Sequence, residues 1–228
     1  MLLHGWAGSF ERTWRRSGLV DLLSEAGRTV VPYDLPGHGT AHKSHEPRDY
    51  AHLAKDLLTH VARTSDAQPP IAVDAVGFSL GAVTLLRAML LSPQSFNKVV
   101  LAGIGDGVFF PHEPSRSERI LSGLEGRAEP GDVVARLFGK IGNEGNNDAL
   151  ALAAVLRRPR EEPMGADQLA SINNEVTIVL GDQDFSAPAD QLVAAFPNSR
   201  FVSLSGIDHF RTPESFAFID EIMSILGE

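Results

Sequence analysis

A serine at 79, aspartates at 182 and 184 and a histidine at 209 stand in one chain order that suits nucleophilic chemistry. Ser79 lies in Gly77-Phe78-Ser79-Leu80-Gly81, between the apolar runs Ala72–Phe78 and Leu80–Leu91. A serine on a sharp strand-to-helix turn needs strained backbone angles. Glycines on both sides remove the Cβ atoms that would collide there. The following helix N-terminus then points N–H groups at any oxyanion that develops beside the serine. Gly181-Asp182-Gln183-Asp184, with Pro188 after it, ends the run Val176–Leu180. Gly206-Ile207-Asp208-His209-Phe210 follows Phe201–Leu204 in the same way. A polar side chain after the carboxyl end of a strand sits on the ligand-binding edge of an open α/β sheet. At the start, His4-Gly5-Trp6 follows Leu2-Leu3. A glycine there lets the chain turn and aim a backbone N–H at a carbonyl oxygen.

These loops need a scaffold. Strand candidates are Thr29–Tyr33, Ala72–Phe78, Lys98–Ala102, Val176–Leu180 and Phe201–Leu204, with Leu2-Leu3 as the stump of another. Helical periodicity fills Trp14–Ala26, Tyr50–Val61, Leu80–Leu91 and Pro213–Leu226. Such alternation predicts a mostly parallel sheet flanked by helices. Gly105 to Asn174 breaks it, holding no convincing strand and one clear helix, Asp148–Arg157. That stretch is longer than any ordinary loop, so a helical cap over the site is expected. The expected domains are a core of 1–104 and 175–228, with the cap of 105–174 inserted in it. Asp34-Leu35-Pro36-Gly37-His38-Gly39 reads as a tight structural turn. His38, His42 and His45 are expected to be exposed loop histidines rather than a metal site.

The 228 residues, 43% apolar and 21% charged, suit one globular α/β domain. A net charge of −9 with scattered Lys and Arg argues against a nucleic-acid partner and against docking on anionic membranes. With no cysteine, disulfides, thiolate catalysis and Cys-ligated zinc are excluded. The start has no signal-peptide pattern, and no run approaches the ~18 apolar residues of a membrane helix. A cytoplasmic protein acting on a small molecule is therefore expected. Oligomeric state has no signature in the sequence.

Taken together, His4-Gly5, Asp34 to Gly39, Gly77 to Gly81, Gly181 to Asp184 with Pro188, and His209 with Pro213-Glu214 resemble the α/β-hydrolase family over nearly the whole chain. The resemblance implies Ser79 as nucleophile, Asp184 as acid and His209 as general base. It implies an oxyanion hole from the backbone N–H groups of Trp6 and Leu80. Some members place the acid after the strand corresponding to Lys98–Ala102, which keeps Asp106 in play beside Asp184 and Asp182. Ala82 replaces a second glycine often found after the elbow, and Phe78 stands where members often carry histidine. Members usually have two strands before the His-Gly strand. A missing or truncated N-terminal strand pair is therefore expected, leaving Thr29–Tyr33 as a sheet edge. The implied activity is hydrolysis of a carboxylic ester or related acyl bond through an acyl-enzyme on Ser79, with no cofactor and no metal. Phe109, Phe110 and Phe138 suggest a small apolar substrate. Carbon–carbon or thioester hydrolysis, and silent ligand binding, are alternatives the fold does not decide.

Overall fold

Five parallel strands lie side by side in chain order: β1 Leu2–Leu3, β2 Val73–Phe78, β3 Phe96–Ala102, β4 Val176–Gly181 and β5 Ser199–Leu204. The computed structural model describes residues 1–64, 71–112 and 114–227, with 114–116 by backbone alone; Glu113 of the expected cap, and residues 65–70 and Glu228 of the expected core, lie outside the described residues. Side chains on a strand alternate between faces, and the packing follows that period. Val99 and Leu101 of β3 join one apolar cluster, while Val100 and Ala102 join the other. On the first face lie α2 Leu53–Arg63 and α3 Leu80–Leu91, through Leu57, Val61, Leu85 and Met89. On the second lie α1 Leu19–Glu25 and α9 Phe216–Leu226, through Leu19, Leu23, Phe218 and Ile222. The result is a parallel sheet covered on both faces.

Two elements differ from the sequence expectation. Thr29–Tyr33 is not a strand: it makes no ladder with β1. Pro32 has no N–H to give, and β1 offers two residues against which a ladder could form. The run keeps the alternation, with Val30 against one cluster and Val31 against the other. Thr29, Val30 and Val31 share with Met1 and Val73 the lining of a cavity of about 440 Å³. The helix expected over Trp14–Ala26 is divided into a π-type turn at Glu11–Arg15 and α1. Gly18 lies between them at φ +83°, a left-handed conformation that breaks a helix.

Between β3 and β4 stand α4 Pro114–Leu124, α5 Val133–Gly142, α6 Ala149–Arg157 and the single turn α7 Ala166–Leu169. Asp148 caps α6, accepting the Leu150 and Ala151 N–H groups at 3.0 Å each. Asp132 caps α5 through the Ala135 N–H at 2.9 Å. The buried face of α6 rests on Ala7, Leu121 and Leu124 on one side and on Tyr50 and Leu53 on the other. No helix among the described residues is long and apolar enough to cross a membrane.

Candidate active site

Ser79 sits at the β2–α3 corner with φ +53° and ψ −115°, a strained conformation for a non-glycine residue. Its N–H donates to Ala102 O at 2.8 Å, pinning the corner to the end of β3. The corner is tight enough to demand its glycines. A Cβ on Gly81 would lie 2.5 Å from Leu3 O and 2.6 Å from His4 O, and one on Gly77 would lie 2.6 Å from Ala82 Cα. Ala82, which stands beside Gly77 in this corner, is fully buried.

The loops after β4 and β5 bring Asp184 and His209 to this corner. His209 Nε2 is 3.0 Å from Ser79 Oγ. His209 Nδ1 is 3.0 and 2.9 Å from the two Asp184 carboxylate oxygens. A carboxylate only accepts, so Nδ1 carries the hydrogen and the Nε2 lone pair accepts from the serine hydroxyl. Burial alone would raise the Asp184 carboxyl; hydrogen bonds from His209 and from the Ser186 N–H (2.7 Å) outweigh it and hold Asp184 below the usual carboxylate range. The imidazole packs between Phe78 and Phe185, at ring-centroid distances of 4.9 and 4.3 Å. Such a set can draw a proton off the Ser79 hydroxyl and hold the imidazolium that results.

The other two acids are occupied elsewhere. Asp106 is buried and accepts the Leu192 N–H at 2.9 Å, in the first turn of α8 Asp190–Ala195. Asp182 is exposed and accepts the Gly206 N–H at 2.8 Å.

The opposite wall is built by His4. The Leu35 N–H donates to its Nε2 at 3.1 Å, so its Nδ1–H donates to Gly5 O at 2.8 Å. Burial lowers its pKa, so the ring is neutral and its 3.5 Å approach to Asp34 is not an ion pair. Gly5 O also accepts the Gly8 N–H at 3.0 Å. In a trans peptide the N–H points opposite to the C=O. Fixing Gly5 O therefore fixes the direction of the Trp6 N–H. Neither the Trp6 nor the Leu80 N–H has an acceptor among the described residues.

A cavity of about 640 Å³ opens over Ser79, His209, Trp6 and Leu80. Its far wall comes from the β3–β4 segment, including Ile120, Leu156 and Met164. Of the three phenylalanines expected there, Phe110 lines it. Phe109 packs on the first-face cluster, and Phe138 meets the Trp6 ring edge-on at 5.9 Å. Sequence reasoning missed Arg87, Arg158 and Arg160, which line the same cavity. The signal was the run Leu156-Arg157-Arg158-Pro159-Arg160, where basic residues crowd the end of a helix.

The histidine expectation needs one correction. His38 is not exposed: it is fully buried, its ring centroid 5.2 Å from that of His4. His42 and His45 are exposed, and His45 Nε2 is 2.9 Å from Asp148. The described residues contain no group of three or more His, Cys, Asp or Glu side chains able to hold a metal ion.

Among solved structures, the fold is similar to 2-hydroxy-6-oxo-6-phenylhexa-2,4-dienoate hydrolase (BphD) from Rhodococcus sp. strain RHA1. That likeness has a TM-score of 0.75 at 18% identity and covers 100% of this chain and 89% of that one. It is also similar to a bromoperoxidase from Bacillus anthracis (TM-score 0.70, 21% identity, 100% and 91% covered). A hydrolase from Pseudomonas aeruginosa PA01 is similar too (TM-score 0.63, 24% identity, 100% and 89% covered). No curated protein matches the chain. At these identities the likenesses speak for the fold. The family model described as "Alpha/beta hydrolase family" matches residues 1–218, elbow, acid loop and histidine loop included, and the chain belongs to that family.

Proposed function

We propose that the protein is a serine hydrolase that cleaves a carboxylic ester, or a related acyl bond, of a small-molecule substrate. The observation that carries the reading is His209 bridging Ser79 and Asp184 at hydrogen-bond distance, with Ser79 on a strained corner at the floor of a cavity.

His209 Nε2 takes the Ser79 proton as Oγ attacks the substrate carbonyl carbon. The carbonyl oxygen becomes an oxyanion, held by the Trp6 and Leu80 N–H groups, each contributing roughly 3 kcal/mol to the transition state. Collapse expels the alcohol, which receives its proton from His209, and leaves an acyl ester on Ser79. Water, deprotonated by His209, then attacks that ester; the acid leaves and Ser79 regains its proton. Asp184 keeps the hydrogen on Nδ1 and stabilises the imidazolium. The segment 105–174 acts as a cap on the core formed by 1–104 and 175–228, walling the cavity and excluding water from it. No cofactor enters these steps.

The test is a series of p-nitrophenyl esters of graded chain length, with Ser79→Ala alongside. The native protein should release p-nitrophenol and be labelled at Ser79 by a fluorophosphonate. Ser79→Ala should do neither while keeping its circular dichroism spectrum and melting temperature. Undiminished turnover by pure Ser79→Ala would exclude this serine as nucleophile.

A further inference from the structure

The cavity over Ser79 is not lined by apolar groups alone. Arg87 is paired: its Nε lies 2.7 Å from Glu161 Oε2, and its Nη2 donates to Glu162 O at 2.8 Å. Arg158 has no such partner. Its Nη1 donates to Val155 O at 2.8 Å, and no carboxylate lies within ion-pair distance among the described residues. Arg160 donates to neutral acceptors, Leu156 O at 2.7 Å, Ser117 Oγ at 3.3 Å and His112 Nε2 at 3.1 Å. Asp106 also borders the cavity, but its carboxylate is engaged with α8. Glu161 borders it too and lies near enough to Arg158 to act on its charge, but its carboxylate is paired with Arg87. Among the described residues, then, neither Arg158 nor Arg160 is in ion-pair contact with a carboxylate on this wall. Burial, with Arg160 and Arg87 adding like charge and Glu161 only partly offsetting them, pushes Arg158 down to about 10, so it stays charged at neutral pH. A desolvated cation without a counter-charge in contact is costly, and guanidinium groups in that position pair with an anion when one is offered. Arg158 spends one nitrogen on Val155 O. The rest of its planar fork matches the two oxygens of a carboxylate.

We propose that this wall is a subsite for a carboxylate on the substrate, held by Arg158 with Arg160 beside it. This rests on the serine-hydrolase reading and narrows its substrate class to acyl compounds bearing a free acid, such as half-esters of dicarboxylic acids. It replaces the expectation of a purely apolar substrate.

The direct test compares mono-p-nitrophenyl glutarate with p-nitrophenyl pentanoate, which match in acyl length but differ in the terminal acid. The native protein should favour the glutarate half-ester in kcat/KM, and raised salt should shrink the preference. Arg158→Gln should cut that ratio by about tenfold or more. Arg157→Gln should leave it unchanged, because Arg157 pairs with Glu125 instead. A second readout needs no turnover: glutarate should raise the melting temperature of Ser79→Ala and lose that effect when Arg158→Gln is added. If glutarate stabilises the protein but no ester is cleaved, the subsite stands and the hydrolase reading falls. If esters are cleaved without preference for the acid, the subsite is overturned with the hydrolase reading intact. Stabilisation by inorganic phosphate and not by glutarate would overturn the carboxylate assignment.

Discussion

At the scale of single residues, the acid is the sharpest question, because three aspartates stand after strands of the same sheet. Asp184 alone reaches His209. Asp184→Asn keeps the shape but presents an amide to Nδ1, which favours the wrong tautomer. Turnover should fall by on the order of 10⁴, the size of the comparable change in a serine protease. Asp106→Asn should cost roughly tenfold or less in kcat. Its cost should appear instead in melting temperature, since the Asp106 carboxylate accepts the Leu192 N–H in the first turn of α8. Measuring kcat and melting for both variants decides the matter, and a crippled but stable Asp106→Asn would overturn the assignment. Ser79, Asp184 and His209 were legible because each sits in a short local pattern after its own strand. Arg158 and His38 were not. The meaning of Arg158 depends on a cavity shared with Ser79, and the burial of His38 depends on His4, 34 residues away along the chain. Neither distance is encoded by local spacing.

At the scale of elements, the helices that wall the cavity do more than wall it. Trp6 Nε1 donates to Leu152 O in α6 at 3.2 Å, and Asn147 Nδ2 donates to Ala7 O at 3.3 Å. The turn that aims the Trp6 N–H therefore hangs partly on α6. Trp6→Phe keeps an aromatic ring against Phe138 but loses the bond to α6, about 1 kcal/mol of support. If that support holds the oxyanion donor, kcat should fall about fivefold with KM nearly unchanged. A change confined to KM would make Trp6 a wall residue only. The long strands and α3 were readable from their apolar runs; α4 and α5 were not. Gly123 stands in the last turn of α4, and Gly139 and Gly142 stand in the last turn of α5, and glycine is a poor helix former, so both runs read as irregular chain. The run Thr29–Tyr33 misled for the opposite reason. It has strand-like alternation and packs like a strand, but Pro32 and the shortness of β1 deny it a ladder.

At the scale of the whole molecule, the buried histidines tie folding to pH. His38 Nδ1–H donates to Pro36 O at 3.1 Å, and its Nε2 has no partner among the described residues. Burial, with His4 adjacent, pushes its pKa down from 6.5 to about 3. Between those values the unfolded chain binds a proton that the folded chain refuses, so stability falls as pH falls below about 6.5. At about 1.4 kcal/mol per pH unit, His38 alone should remove roughly 2 kcal/mol by pH 5. In a domain of this size that lowers the melting temperature by about 4–8 °C relative to pH 8. His38→Gln should flatten the dependence, and equal melting of the native protein at pH 5 and 8 would refute the argument. The sheet has a consequence of another kind. Its strands stand in space in the order in which they are made, so Ser79 and the turn that aims the Trp6 N–H are synthesised before Asp184 and His209 exist. A growing chain thus carries a serine with nothing to take its proton. On the proposed function, reactivity waits for the last strand, since the loop after it is what brings His209 to Ser79.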